Sequence, residues 1–420
     1  MHILLLRQFY PPEPTPLGPE LATTLQAKGH QVTVLTGFPN YPTGKLYPGY
    51  RLRPWMKEVL EGISVVRVPL YPDHGRSALK RVLNYVSFAL SGSLLGPFIV
   101  PKPDVIFVYH PPLTVGAIAW VLHRLWRVPF LYQIQDMWPE TLEATGMLTN
   151  LRILNMVGRF AKRVYAEAGA IAVISPGFRD NLIQKGVPSR KIVFIPNWVD
   201  IKVHHPAPRD PQLAEDLDLA NTFNVMFAGN VGEAQGLETV LEAAELLRDL
   251  PEARFVIVGD GIAMPRLRAE VEARHLDNVR FLGRYPAGTM PALYALADVL
   301  LVHLKDDPLF RITIPHKILS YMASGKPVLA AVAGDAADVV LEVGAGIHCP
   351  PQDPAALAQA VRDFYGMTAA ERQSMAECGL RAAHEKYDRD ILVGQIEAVL
   401  EQLVAGQNTT GEAIHVSSLG

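Results

Sequence analysis

Apolar residues along this chain fall in short unbroken runs, each ending at a turn and each followed by a stretch of helical period. In the first half the runs are "HILLLRQF", "QVTVLTG", "ISVVRVPL", "DVIFVY", "PFLYQI", "AIAVIS" and "KIVFIPN". Strands covered by helices on both faces read as continuous apolar runs, so this rhythm predicts a parallel sheet wrapped by helices. Over 201–220 the rhythm stops in a proline- and charge-rich stretch, which reads as a linker. It restarts with "NVMFAGN", "RFVIVGDG", "VRFLGR", "DVLLVHL", "KPVLAAV" and "GIHCP". The expected fold class is therefore α/β: two Rossmann-like doubly wound domains, 1–200 and 221–385, facing one another across a cleft. A closing helix over 386–404 has the length to return to the first domain, and 405–420 reads as a flexible tail.

Composition changes this picture little. The 420 residues exceed what one core usually serves, and 49% of them are hydrophobic. A formal net charge of -3 argues against a nucleic-acid partner, whose binding would rest on neutralising many phosphates. Two cysteines, Cys349 and Cys378, make no disulfide framework. No Cys/His cluster has metal-ligand spacing, so no metal is expected. The N-terminal apolar run is too short for a secretory signal, and a cytoplasmic location is expected.

Candidate chemistry gathers at the ends of the predicted strands, where open sheets of this type hold ligands. "FAGNVGEAQGLETVLEAAELL" sets Gly229, Gly232 and Gly236 between a strand and a helix, with Asn230 and Gln235 in the same turn. Exposed amides at such a helix start bind anions, and glycine lets a diphosphate approach the main chain. A tight turn without a ligand is the plainer reading. Gly259, Asp260 and Gly261 close the next strand in "VGDG", and Arg284 follows "VRFLG". In "FRITIPHKILSYMASGKPVLAAV", Arg311 and Lys317 bracket the start of a helix that also carries Ser320. There a diphosphate would meet amide dipoles and cations together.

In the first domain "QFYPPEPTPLG" replaces the glycine-rich turn of a dinucleotide-binding fold. Each proline removes an amide donor, so this loop reads as a rigid wall beside the transferred sugar, with Glu13 as a polar contact. Gly18 permits a close approach, and Pro19 suits the first position of a helix. "VYHPPLTVG" and "QIQDMWPE" follow later strands. His110 and Asp136 are candidates to orient or deprotonate an acceptor hydroxyl, with Glu140 one helical turn beyond Asp136.

With these residues in view the chain resembles a family. "GHQVTVLTG", "VISPGFRDNLIQKGV", "KIVFIPNWVD", "FAGNVGEAQGLETVLEAA", "VIVGDG" and "SYMASGKPVLA" are similar, in order, to the family 4 glycosyltransferases of the GT-B fold. "TGFPNYPTGKLYPGYR", "VRVPLYPDHGRS" and "DMWPE" resemble a narrower group, the WcaI-like and WbuB-like fucosyl or N-acetylfucosaminyl transferases of colanic-acid and O-antigen synthesis. The resemblance implies retaining, metal-independent transfer from a nucleotide sugar, UDP-linked in preference to GDP-linked, to a polyprenyl-diphosphate-linked acceptor. It also exposes two departures. Asn230 and Gln235 stand where the family carries an Arg and a Lys, and Ser320 stands where the second of its paired glutamates belongs. Arg311 and Lys317 are expected to take over the diphosphate.

"LKRVLNYVSFALSGSLLGPFIVPK" is the most apolar stretch, flanked by basic residues. Its polar and helix-disturbing residues weaken a transmembrane reading. A helix lying on the inner face of the cytoplasmic membrane fits better, and a helix packed on the sheet is the plain alternative. Two other functions share the fold: a nucleotide-sugar epimerase, and a non-catalytic sugar-nucleotide-binding protein.

Overall fold

The computed structural model describes residues 1–406 except 16, 76, 145 and 146; most of the stretch read as a tail lies outside them. The chain forms two compact units, one of 1–196 with 392–420 and the other of 197–391.

The first unit begins with β1 (His2–Leu6), α1 (Gly18–Ala27), β2 (Gln31–Gly37), β3 (Met56–Leu60) and β4 (Ile63–Val68). It continues through α2 (Ala78–Ile99), β5 (Val105–His110), α3 (Val115–Trp126), β6 (Phe130–Ile134) and α4 (Glu140–Ala144). Helix α5 (Leu151–Glu167), β7 (Ala170–Val173), α6 (Pro176–Gln184) and β8 (Ile192–Phe194) complete it. The sheet order is β3-β4-β2-β1-β5-β6-β7-β8. All seven strands expected from the apolar runs are present. The eighth, β3, pairs antiparallel to β4 at the edge. Its sequence "MKEVL" is half polar because only part of it is covered, so it lacks the buried-run signature.

In the second unit the chain runs through α7 (Pro211–Asp216), β9 (Phe223–Ala228), α8 (Glu238–Leu246), β10 (Ala253–Val258), α9 (Met264–Arg274) and β11 (Val279–Gly283). Then come α10 (Met290–Ala295), β12 (Val299–His303), α11 (Pro308–Arg311), α12 (His316–Ala323), β13 (Val328–Ala331), α13 (Asp335–Glu342) and β14 (Gly346–Cys349). Helices α14 (Pro354–Gly366), α15 (Ala369–Glu385) and α16 (Arg389–Val404) follow. The six strands are the expected six, all parallel, in the order β11-β10-β9-β12-β13-β14. Alternate residues of β9 feed two cores: Met226 and Ala228 pack with Ile318, Leu319 and Met322 of α12, whereas Val225 and Phe227 pack with Val240 and Leu241 of α8. Each fully buried side chain of this size contributes about 1.5–3 kcal/mol.

The stretch 201–220 is not the separate linker expected. Helix α7 lies within it, and Ala214 and Leu219 are buried in the second unit's core; these two apolar residues, set amid charged and proline positions, are enough to anchor it. The second unit accordingly extends from 197 to 391 rather than from 221 to 385. From Leu392 onward α16 belongs to the first unit, burying Leu392, Val393, Ile396, Val399, Leu400 and Leu403. Gly169 leaves the space that Leu403 fills, since a Cβ there would lie 2.6 Å from Leu403 Cδ2. His30 and Lys28 hold Glu397 at 2.6 and 2.9 Å.

Candidate active site

Each sheet reverses its order once, between β1 and β5 in the first unit and between β9 and β12 in the second. The carboxyl ends at such a switch point form the ligand crevice of doubly wound folds.

In the second unit the β9 exit is built by glycines that nothing else could replace. A Cβ on Gly259 would lie 1.8 Å from Gly229 O, and one on Gly261 would lie 2.2 Å from Val231 O. The two exit loops therefore run side by side, Gly229 N donating to Val258 O at 2.9 Å and Val231 N to Asp260 O at 3.0 Å. These two amides are spent on the ladder. What remains for an anion is the opening of the single 3-10 turn Glu233–Gln235, whose first amides have no partner inside the turn.

Lys317 comes to this turn from the start of α12. Its Nζ donates to Gln235 Oε1 at 2.7 Å, lies 3.8 Å from the Phe227 ring centre, and stands 3.2 Å from where a Cβ on Gly229 would be. No carboxylate pairs with it among the described residues. Burial alone lowers its pKa from 10.5 to about 7. Tyr321, one turn further along α12, donates to Ala228 O and accepts from Ala228 N, fixing the strand end beneath Gly229. At the end of β12, His303 Nδ1 meets Gln235 O at 2.5 Å, holding the backbone of the residue that Lys317 grips; Gly236 leaves room for that imidazole.

Beside the turn lies a cleft of about 310 Å³. Gly229, Asn230, Gly259, Asp260 and Arg284 line it, together with Tyr285, Met290 and Tyr294. Arg284 is exposed and makes no ion pair among the described residues. The cleft thus offers a flat apolar wall, a carboxylate and a free guanidinium. Two expected donor residues fall elsewhere. Arg311 is exposed and held bidentate by Asp306, at 2.7 and 2.9 Å, because α11 is a single turn that points it back toward its own N-terminal loop. Ser320 is buried on α12 at 5% exposure and is not part of the cleft wall.

In the first unit the proline loop is fastened from below rather than turned toward a ligand. Glu13, 3% exposed, accepts from Tyr10 N at 2.9 Å and from Asn40 N and Tyr41 N at 2.8 Å each. Its role is to close the loop, and the expected sugar contact is corrected. Arg67 of β4 donates to Pro11 O and Gly37 O and pairs with Glu58. Gly18 is likewise buried and structural: a Cβ there would overlap Arg7 Nη1. Arg7, immediately after β1, is 3% exposed and lies 4.5 Å over the Tyr109 ring.

Asp136, just past β6, accepts no hydrogen bond among the described residues, and burial raises its pKa to about 6. Its charge is felt by Tyr85 and Tyr109, and the residue is only partly buried. His110 is different. At 1% exposure it is wedged between the Tyr132 and Trp138 rings, 5.8 and 5.7 Å away, and burial lowers its pKa to about 3. A neutral imidazole sealed by rings touches no acceptor, so the expectation for His110 is corrected to packing. Glu140 pairs with Lys185 at 2.5 Å in a separate cleft of about 520 Å³, and it does not join Asp136. The one candidate metal cluster among the described residues, His30 with Glu397 and Glu401, already holds the Lys28 ammonium and serves to fasten α16.

The fold and the two strand-end sites define a GT-B glycosyltransferase. The solved structure of Anabaena Alr3699/HepE in complex with UDP and glucose superposes with a TM-score of 0.69 at 21% identity, covering 95% of this chain and 99% of that one. Sucrose-phosphate synthase from Thermosynechococcus elongatus gives 0.72 at 18% identity, with 96% and 99% covered. Residues 19–198 match the glycosyl transferase 4-like domain and residues 222–366 the glycosyl transferases group 1 domain. The Escherichia coli (strain K12) colanic acid biosynthesis glycosyl transferase WcaI is 31% identical over 378 residues, 86% of this chain and 91% of that protein. Glycosyltransferase WbjE of Pseudomonas aeruginosa is 30% identical over 55% of this chain and 58% of its own length. The chain belongs to this family of group 1 glycosyltransferases, and transfer takes precedence over the epimerase and the non-catalytic readings.

Proposed function

We propose that this protein is a retaining, metal-independent glycosyltransferase that moves a sugar, fucose or an L-fucosamine type, from a nucleotide sugar to a polyprenyl-diphosphate-linked saccharide in bacterial surface-polysaccharide synthesis. The observation that carries the donor half is Lys317, a half-buried ammonium without a carboxylate, set against Gly229 at the switch point. It meets the donor diphosphate from one side and Arg284 from the other. The base lies on Tyr285, Met290 and Tyr294, and Asp260 accepts from ribose or base. In the transfer the bond from the anomeric carbon to the diphosphate breaks, and the acceptor oxygen bonds to that carbon on the same face. Asp136 accepts the hydroxyl proton, and the nucleoside diphosphate leaves with the electron pair of the broken bond. Alr3699/HepE was solved with UDP, which supports a UDP donor over a GDP one.

A thermal-shift series with UDP, GDP and dTDP tests the donor half. At a hundredfold excess over Kd, binding to the folded form stabilises by about 2.7 kcal/mol, a rise of several degrees in Tm. UDP is expected to give the largest rise; no rise with any of the three ends the proposal.

For the acceptor half, we propose that the protein works on the inner face of the cytoplasmic membrane. Leu79, Leu83, Val86, Leu90, Leu94 and Phe98 form one exposed stripe along α2, Phe98 at 86%, while Phe88, Ala89, Gly92 and Gly96 face the unit. Gly92 admits Ile118 of α3. The helix is long and apolar enough to span a bilayer, yet its inner face is packed on protein, which fits a helix lying in the interface. Co-flotation with vesicles containing anionic lipid is expected, and Leu90→Glu with Leu94→Glu should abolish it. A wild-type protein that stays at the bottom of the gradient overturns the membrane placement.

A further inference from the structure

Four motifs of the first unit that are far apart in sequence each deliver one ring to a single row. Phe9 comes from "QFYPPEP", Tyr41 from "PNYPTG", His74 from "YPDHG" and Trp138 from "DMWPE", with Tyr85 of α2 between the last two. Successive ring centres are 5.3 Å from Phe9 to Tyr41, 4.9 Å to His74, 6.4 Å to Tyr85 and 6.1 Å to Trp138. The first contact is tilted and the others are edge-to-face, and such contacts fix each ring against the next. The rings rest on a polar floor: Gln8 donates to Asn84, Asn84 to Asn40 Oδ1 and to Tyr71 O, and Glu13 pins the amides of Asn40 and Tyr41.

We propose that this row is the seat of the acceptor's saccharide, longer than one sugar, with its non-reducing end at Asp136. The proposal rests on the glycosyltransferase reading and adds the part of the acceptor that the protein reads. Sugar rings combine apolar C–H faces, which stack on aromatic rings, with hydroxyls that need partners. The row offers both. His74 Nε2 and Arg81 Nε are buried without a hydrogen-bond partner among the described residues, and the Asp136 carboxylate is free as well. An isoprenoid tail in this place would leave all three unsatisfied, at a cost a saccharide avoids. A single transferred sugar would leave most of the row bare.

The test follows intrinsic fluorescence of the full chain, with Trp138→Phe identifying the contribution of Trp138 among the five tryptophans. The probes are farnesyl diphosphate bearing a disaccharide that ends in N-acetylglucosamine, N-acetylgalactosamine or glucose, and sugar-free farnesyl diphosphate. At least one sugar-bearing probe is expected to change Trp138 emission and to bind at least tenfold more tightly than the sugar-free one. Tyr85→Ala should raise its Kd about tenfold, and Tyr85→Phe, which keeps the ring, should restore it to within about twofold. The thermal shift given by UDP serves as the control for folding and for the donor site. Equal binding of sugar-free farnesyl diphosphate, no binding of any sugar-bearing probe, or an unchanged Kd in Tyr85→Ala overturns the seat. If UDP gives its shift while the seat fails, the donor reading stands; if UDP gives none in the wild type, that reading fails first.

Discussion

Lys317→Ala should lower kcat/KM by about 10²–10³-fold, the range for removing a preorganised charge from a developing anion, and weaken UDP binding in parallel. Steady-state kinetics and calorimetric titration read both. The effect is large because Lys317 is set against the Gly229 backbone, whereas Asn230 and Gln235 are neutral, Lys305 and Arg266 pair with Glu233, Arg311 is spent on Asp306, and Arg284 is exposed. The residue also gives binding a pH dependence of known sign. In the empty site burial sets its pKa at about 7; a bound diphosphate favours the ammonium. Binding therefore takes up a proton above pH 7, and affinity for UDP should fall as pH rises beyond 7, a slope that Lys317→Ala removes. For folding the sign is opposite. Between about 7 and 10.5 the unfolded chain holds this proton more tightly, so the ligand-free protein gains stability as pH rises across that window. Unchanged turnover in Lys317→Ala would take the residue out of the mechanism.

Asp136→Asn should reduce kcat by about 10²–10⁴-fold, the span for a positioned acid or base, with the UDP thermal shift intact. Activity of the wild type should fall below pH 6 as the carboxyl, raised to about 6 by burial, takes up its proton. Stability again moves the other way. A carboxyl whose pKa is raised on folding costs stability progressively as pH rises from 3.8 to about 6 and in full above it, so the neutral side chain introduced by Asp136→Asn should raise Tm at pH 7 while lowering turnover. A variant that loses both activity and Tm would point to a structural role instead.

The strands were legible because burial on both faces writes itself as unbroken apolar runs. Only β3 escaped, being a half-exposed edge strand with two adjacent charges. The positions of Gly229 and Gly259 were legible for a related reason, since close backbone approach demands glycine, and Lys317 lies beside that turn as its place at a helix start implied. The errors lie where local sequence is silent about partners. Nothing near Glu13 says that three amides converge on it from two loops, and nothing near Arg311 or Glu140 says that Asp306 and Lys185 have claimed them. His110 obeys the strand-end rule that also marks Asp136, but the rings that seal it come from β6 and the loop beyond. Arg7 and His303 obey the same rule, each ending a strand at a switch point, and a strict application of it would have brought both forward. Tyr285, Met290 and Tyr294 carry no such mark, because an aromatic cleft wall and a core look alike in one sequence.

The polypeptide passes between its two units twice, after Pro196 and again before Leu392. The first unit is therefore not a contiguous piece of gene. Residues 1–196 made alone would present an open trough where Leu403 and its five companions should lie, and the remainder would carry that helix with nothing to cover it. Swapping donor halves between relatives, a natural route to new sugar specificity, has to exchange an internal cassette and leave both chain ends in place.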